Sequence, residues 1–140
     1  MSSLVSRWNW IAFFVNAVIK QEKGRCEMMT WTAYEQGGTL GKKGREGGVI
    51  RVDEEYTGAA RIMLEKNCLR APYAITSSVY GFMLHTRFVA DDETAQYALD
   101  EMKAALAAIV QLIPDEDDPN EGSQIDAVDN AVESFMRRYP

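Results

Sequence analysis

Two cysteines, four prolines and one histidine in 140 residues leave several protein classes without their raw material. Two cysteines cannot build the disulfide framework of a small secreted scaffold, and the spacing of Cys26 and Cys68 fits no CxxC metal or redox motif. The lone histidine, His85, cannot make a histidine-rich metal site, and no acid stands at helical spacing from it to complete one. No serine sits in a GxSxG elbow, and GxGxxG and the P-loop are both missing. No apolar run approaches the roughly 20 residues that span a bilayer. The chain therefore offers no recognisable cofactor motif, no metal motif and no membrane segment. Arg7 and the apolar stretch from Trp8 to Ile19 have the start of a signal peptide. Asn9 and Asn16 interrupt that stretch, and Lys20-Gln21-Glu22-Lys23 follow it without a small-residue cleavage site, so reduced thiols and a cytoplasmic location are expected.

Hydrophobic residues make up 46% of the chain, enough to form a core, and the length suits one domain over residues 1–140. The net charge of -6 is unevenly spread. Residues 1–90 hold 12 of the 15 Lys and Arg and 8 of the 21 acids, whereas residues 91–140 hold the other 3 and 13. An acidic total disfavours general binding to nucleic-acid phosphates while leaving room for one basic face.

Leu4, Trp8, Ile11, Val15 and Val18 recur at helical steps, which predicts a helix over 4–23 ended by Gly24. At about 100° per residue its apolar side chains cover an arc of about 260°. One sheet face cannot bury so wide an arc, and Trp10, Phe13 and Phe14 are left as the expected contact of a homodimer. Residues 26–34 have strand composition, and 37–48, with six glycines in twelve positions, form a flexible loop. Strands are expected at Val49 to Asp53 and Ala60 to Lys66, joined by a polar connection containing Glu54 and Glu55.

The run from Tyr73 to Val89 alternates on both sides of Tyr80-Gly81 and predicts a hairpin. Tyr73, Ile75 and Val79 share one face, as do Phe82, Leu84 and Phe88. Both sets reach the core only if the turn has two or four residues, which places Val79 opposite Phe82 and Ile75 opposite Thr86; an odd turn without a bulge sends one set outward. A helix over 92–113 follows, capped by Asp91 or Asp92, with a stripe through Leu99, Met102, Leu106 and Ile109. Residues 115–122 are an acidic connector, and Ser123 with Asp126 opens a last helix through Val128, Val132 and Phe135. The expected fold is α+β: an antiparallel sheet of four to five strands, an N-terminal helix and two C-terminal helices, with 92–113 packed on one sheet face. The predicted core is Ile62, Leu64, Ile75, Val79, Leu84, Phe88, Leu99, Met102, Leu106 and Ile109.

Three functional readings compete. A core that faces one way gathers Thr76, Ser78, Tyr80, His85 and Arg87 on the opposite sheet face, with Arg61 and Glu65 beside them, as a candidate polar ligand site. An enzyme built there would use His85 as acid or base, Arg87 to hold an anion, and Tyr80 or Ser78 to assist. Lys42, Lys43 and Arg45 in the glycine loop are candidates for anion or nucleic-acid contact, with Arg51, Trp31 and Tyr34 nearby. Glu54 and Glu55 point apart in a strand and make a poor carboxylate pair. Apolar surface is plentiful and catalytic constellations are not, so the leading expectation is a small non-catalytic binding or protein-interaction domain, with its protein or small-molecule partner unspecified.

Overall fold

The computed structural model describes residues 30–114 and 121–140. The expected first helix, with Trp10, Phe13 and Phe14, and residues 115–120 of the expected acidic connector 115–122 lie outside the described residues, while positions 121 and 122 belong to the last helix. Within them the chain is α+β: a five-stranded antiparallel meander and two helices. The strands are β1 (Trp31–Ala33), β2 (Val49–Tyr56), β3 (Ala60–Lys66), β4 (Tyr73–Val79) and β5 (Met83–Val89), lying in that spatial order. The helices are α1 (Asp92–Leu112) and α2 (Glu121–Arg138). No helix among the described residues is long and apolar enough to cross a membrane.

Alternation sorts the strands into two faces. Tyr56, Ala60, Ile62, Leu64, Ile75 and Val79 are buried beneath α1, whose Ala95, Ala98, Leu99, Met102, Leu106 and Ile109 form the matching stripe. Val128, Val132 and Phe135 extend this core along α2. Asp91 caps α1 by accepting from the Thr94 amide, which holds its carboxyl below the usual range. The second helix starts at Glu121, so Ser123 falls in its first turn instead of capping it. Glu54 and Glu55 extend β2 rather than forming a connection. The reversal comes at Thr57-Gly58, both with positive φ, the left-handed pair that a tight hairpin turn requires.

The second hairpin corrects the predicted core. Val79 pairs with Met83 and Ile75 with Arg87, one residue away from the expected register. Tyr80, Gly81 and Phe82 form the turn, with Gly81 left-handed at φ 85° and the Phe82 amide donating to Val79 O. An odd turn without a bulge reverses one arm. Leu84 and Phe88 consequently face away from the helices, 55% and 38% exposed, and Met83, His85, Arg87 and Val89 face toward them. The other eight predicted core residues are all buried.

This burial pattern separates two substitutions of the same chemistry. Leu106→Ala should lose about 2 to 5 kcal/mol by opening a cavity, whereas Leu84→Ala should lose less than about 1 kcal/mol. Urea unfolding of both variants measures the difference, and equal losses would contradict the assigned faces.

Candidate functional site

The sheet face turned away from the helices begins as a polar network over β2 and β3. Asp53, 2% exposed, accepts two parallel bonds from Arg61, Nε at 2.8 Å and Nη2 at 2.7 Å. It also accepts from Thr39 Oγ1 at 2.8 Å. The Arg61 guanidinium stacks over the Tyr34 ring, 3.6 Å from its centroid, and Asp53 raises the pKa of Arg61 above its ordinary value. A planar fork serves the carboxylate and the aromatic face together, which a lysine cannot do. Beside it Tyr80 donates to Glu55 Oε2 at 2.7 Å; burial first, and then this bond, pushes the phenol well above its usual pKa. Glu54 points to the opposite face and pairs with Lys103 of α1. The two adjacent acids thus part as strand geometry requires.

The glycine-rich segment is a loop that crosses the same face along a specified path. Gly41 N donates to Ile50 O and Ile50 N to Lys42 O, with a bridge between Lys43 and Val49. The Glu65 side chain, fully buried, accepts from the Glu46 amide at 3.0 and 3.2 Å and from the Gly48 amide at 3.1 Å. A Cβ on Gly44 would stand 2.4 Å from the Glu65 carboxyl carbon, and one on Gly48 2.7 Å from Lys66 O, so these two positions require glycine. The amides that would cradle a phosphate are already occupied by the chain's own carboxylate. Lys42, Lys43 and Arg45 are exposed on the rim, and Arg45 lies 3.7 Å from Glu46.

The expected polar ligand site divides between the two faces. Thr76, Ser78, Arg61 and Glu65 share the outer face, with Thr76 Oγ1 3.1 Å from Thr86 Oγ1, and Tyr80 joins Glu55 there. His85 and Arg87 lie on the helix side. His85 Nε2–H donates to the Tyr139 carbonyl, and the Arg87 guanidinium is 5.6 Å from the Tyr139 ring. Tyr139 is buried against Phe135, with ring centroids 4.9 Å apart. His85 and Arg87 therefore hold the end of the chain after α2, and the geometry does not bring them to Tyr80 or Ser78. Among the described residues no group of three His, Cys, Asp or Glu side chains could hold a metal ion.

Sequence reasoning missed Asp53 as the hub of the outer face and Leu84 and Phe88 as surface. The signal for Asp53 was an acid in a strand whose alternation turned it away from Val52 and Glu54. Comparison with family models, curated proteins and solved structures finds no match.

The network gives a graded expectation. Arg61→Ala leaves a buried carboxylate with one hydroxyl partner and should cost about 2 to 4 kcal/mol, discounted because Arg61 is partly exposed. Arg61→Lys keeps the charge but not the fork and should fall between. Denaturant midpoints check the order, and an Arg61→Ala variant as stable as the parent would contradict it.

Proposed function

We propose that this chain is a non-catalytic binding domain whose contact surface is the outer sheet face around β5. The observation carrying this reading is the exposure of Leu84 and Phe88, 55% and 38%, on the same face of a single strand. Exposed large apolar side chains lined up on one strand are a contact surface more often than scattered single ones. The enzyme alternative loses support because its acid-base group, His85, is engaged with Tyr139 on the other face. Nucleic-acid contact through Lys42, Lys43 and Arg45 loses the backbone amides it needed, since Glu65 holds them.

A cytoplasmic location belongs to the same reading and rests on the sparse cysteines. Cys68 is a free thiol whose pKa is raised, first by burial and then by the charges of Glu65 and Glu46, which suits an unreactive reduced side chain. Homodimerisation through the predicted first helix is also part of the proposal, supported by the wide apolar arc of residues 4–23. Sedimentation equilibrium should show a mass above the 15.7 kDa monomer as concentration rises; an unchanging monomer mass would remove the dimer.

Photo-crosslinking residues placed at positions 84 and 88, with Gln96 on the exposed side of α1 as control, test the contact surface. The expected result is a discrete protein adduct at 84 and 88, competed by excess parent protein but not by the Leu84→Asp, Phe88→Asp double variant. Labelling at 84 and 88 no stronger than at 96 would overturn the proposal.

A further inference from the structure

We infer that β5 accepts an extended peptide of another protein as a sixth strand, and that this peptide alternates acidic with apolar residues. The inference rests on the binding-domain reading above and names its partner's chemistry.

Among the described residues β5 has a strand neighbour on one side only, so its other edge presents a row of backbone donors and acceptors. Natural edges are blunted by proline, bulges, charged side chains or covering segments, and of these β5 carries one charged side chain, Arg87. From Met83 to Val89 there is no proline, and the ladder to β4 runs without a bulge. Every residue of β5 except Val89 keeps some exposure, whereas β4 is buried at every position but Ser78. Such an edge is suited to strand addition, where main-chain bonds supply affinity and alternate side chains supply selectivity.

The side chains flanking the edge select the peptide. On the outer face stand Leu84 and Phe88, and on the helix side His85 and Arg87. Arg70 adds a second cation, on the outer face, its guanidinium 5.9 Å from the Phe88 ring centroid. From Asn67 to Ala90 the chain contains no Asp or Glu, although 21 of its 140 residues are acidic. An added strand directs successive side chains to opposite faces. Apolar residues at every second position would cover Leu84 and Phe88, and an acid between them would meet the Arg87 guanidinium, since the His85 Nε2–H is already given to the Tyr139 carbonyl. A second copy of β5 satisfies only half of this: it can set leucine against phenylalanine, but it leaves the Arg87 guanidinium of each copy with no acid opposite. Charge complementarity therefore favours an acidic peptide over a second copy.

The probe is a nine-residue peptide alternating glutamate with valine, titrated into the isotope-labelled full chain. Two controls are a peptide with lysine for glutamate and one N-methylated at alternate amides. Amide shifts should centre on Met83 to Val89, with binding of the lysine peptide weaker by about tenfold or more and binding of the N-methylated peptide lost. Arg87→Glu, checked for an unchanged fold, should reverse the preference between glutamate and lysine. Equal binding of the two charged peptides, binding that survives N-methylation, or no binding of the glutamate peptide would each overturn the inference. A dimer that forms in its place and is broken by Phe88→Asp would put a second copy on the edge, which also overturns it. If the peptide fails while crosslinks at 84 and 88 persist, strand addition is wrong and the contact surface stands; if both fail, both readings fall.

Discussion

The three residues between Val79 and Met83 decide which side chains this protein shows to its surroundings. A turn of that length, closed by left-handed Gly81, sets Ile75 against Arg87 and Ser77 against His85. Because side chains alternate with a period of two, a one-residue change of register would exchange the whole set on β5. The exposed leucine and phenylalanine, the tethered histidine and arginine, and the separation of both from Tyr80 all descend from this turn.

Buried acids organise the remainder of the outer face. Asp53 and Glu65 lie on neighbouring strands, and each recruits a segment of the 34–48 connection. Thr39 and Tyr34 gather at the Asp53 and Arg61 pair, while the Glu46 and Gly48 amides close on Glu65. A carboxylate taken out of water needs such partners, because an unpaired buried charge is strongly unfavourable. The glycines of the connection let its backbone reach the carboxyl without a clash at Gly44. The loop is thus shaped from beneath by strand residues rather than by contacts among its own side chains.

Much of the described fold was legible as period and punctuation. The boundaries of β3, the stripe of α1 and eight of the ten predicted core positions follow from alternation and helical spacing. The register of β5 does not, because Met83 and Val89 on one side and Phe82, Leu84 and Phe88 on the other both read as an apolar face. Choosing the more hydrophobic set neglects that an edge strand lies at the margin of the core. There a polar inward side chain needs only one partner, and the Tyr139 carbonyl and ring supply it for His85 and Arg87. Asp53 and Glu65 were hidden for a related reason: their partners come from loop backbone and from Arg61 eight residues on, pairings that no local spacing encodes.

Everything on the outer face of β5 follows from its register with β4, which backbone nuclear Overhauser contacts between the two strands report. Facing Hα atoms approach closely in alternate pairs of an antiparallel ladder. Such contacts are expected among the pairs Thr76 with Thr86, Ser77 with His85 and Ser78 with Leu84. Contacts joining Ile75 to Thr86 and Val79 to Phe82 instead would contradict this register, returning Leu84 and Phe88 to the core and removing the surface on which the proposed function rests.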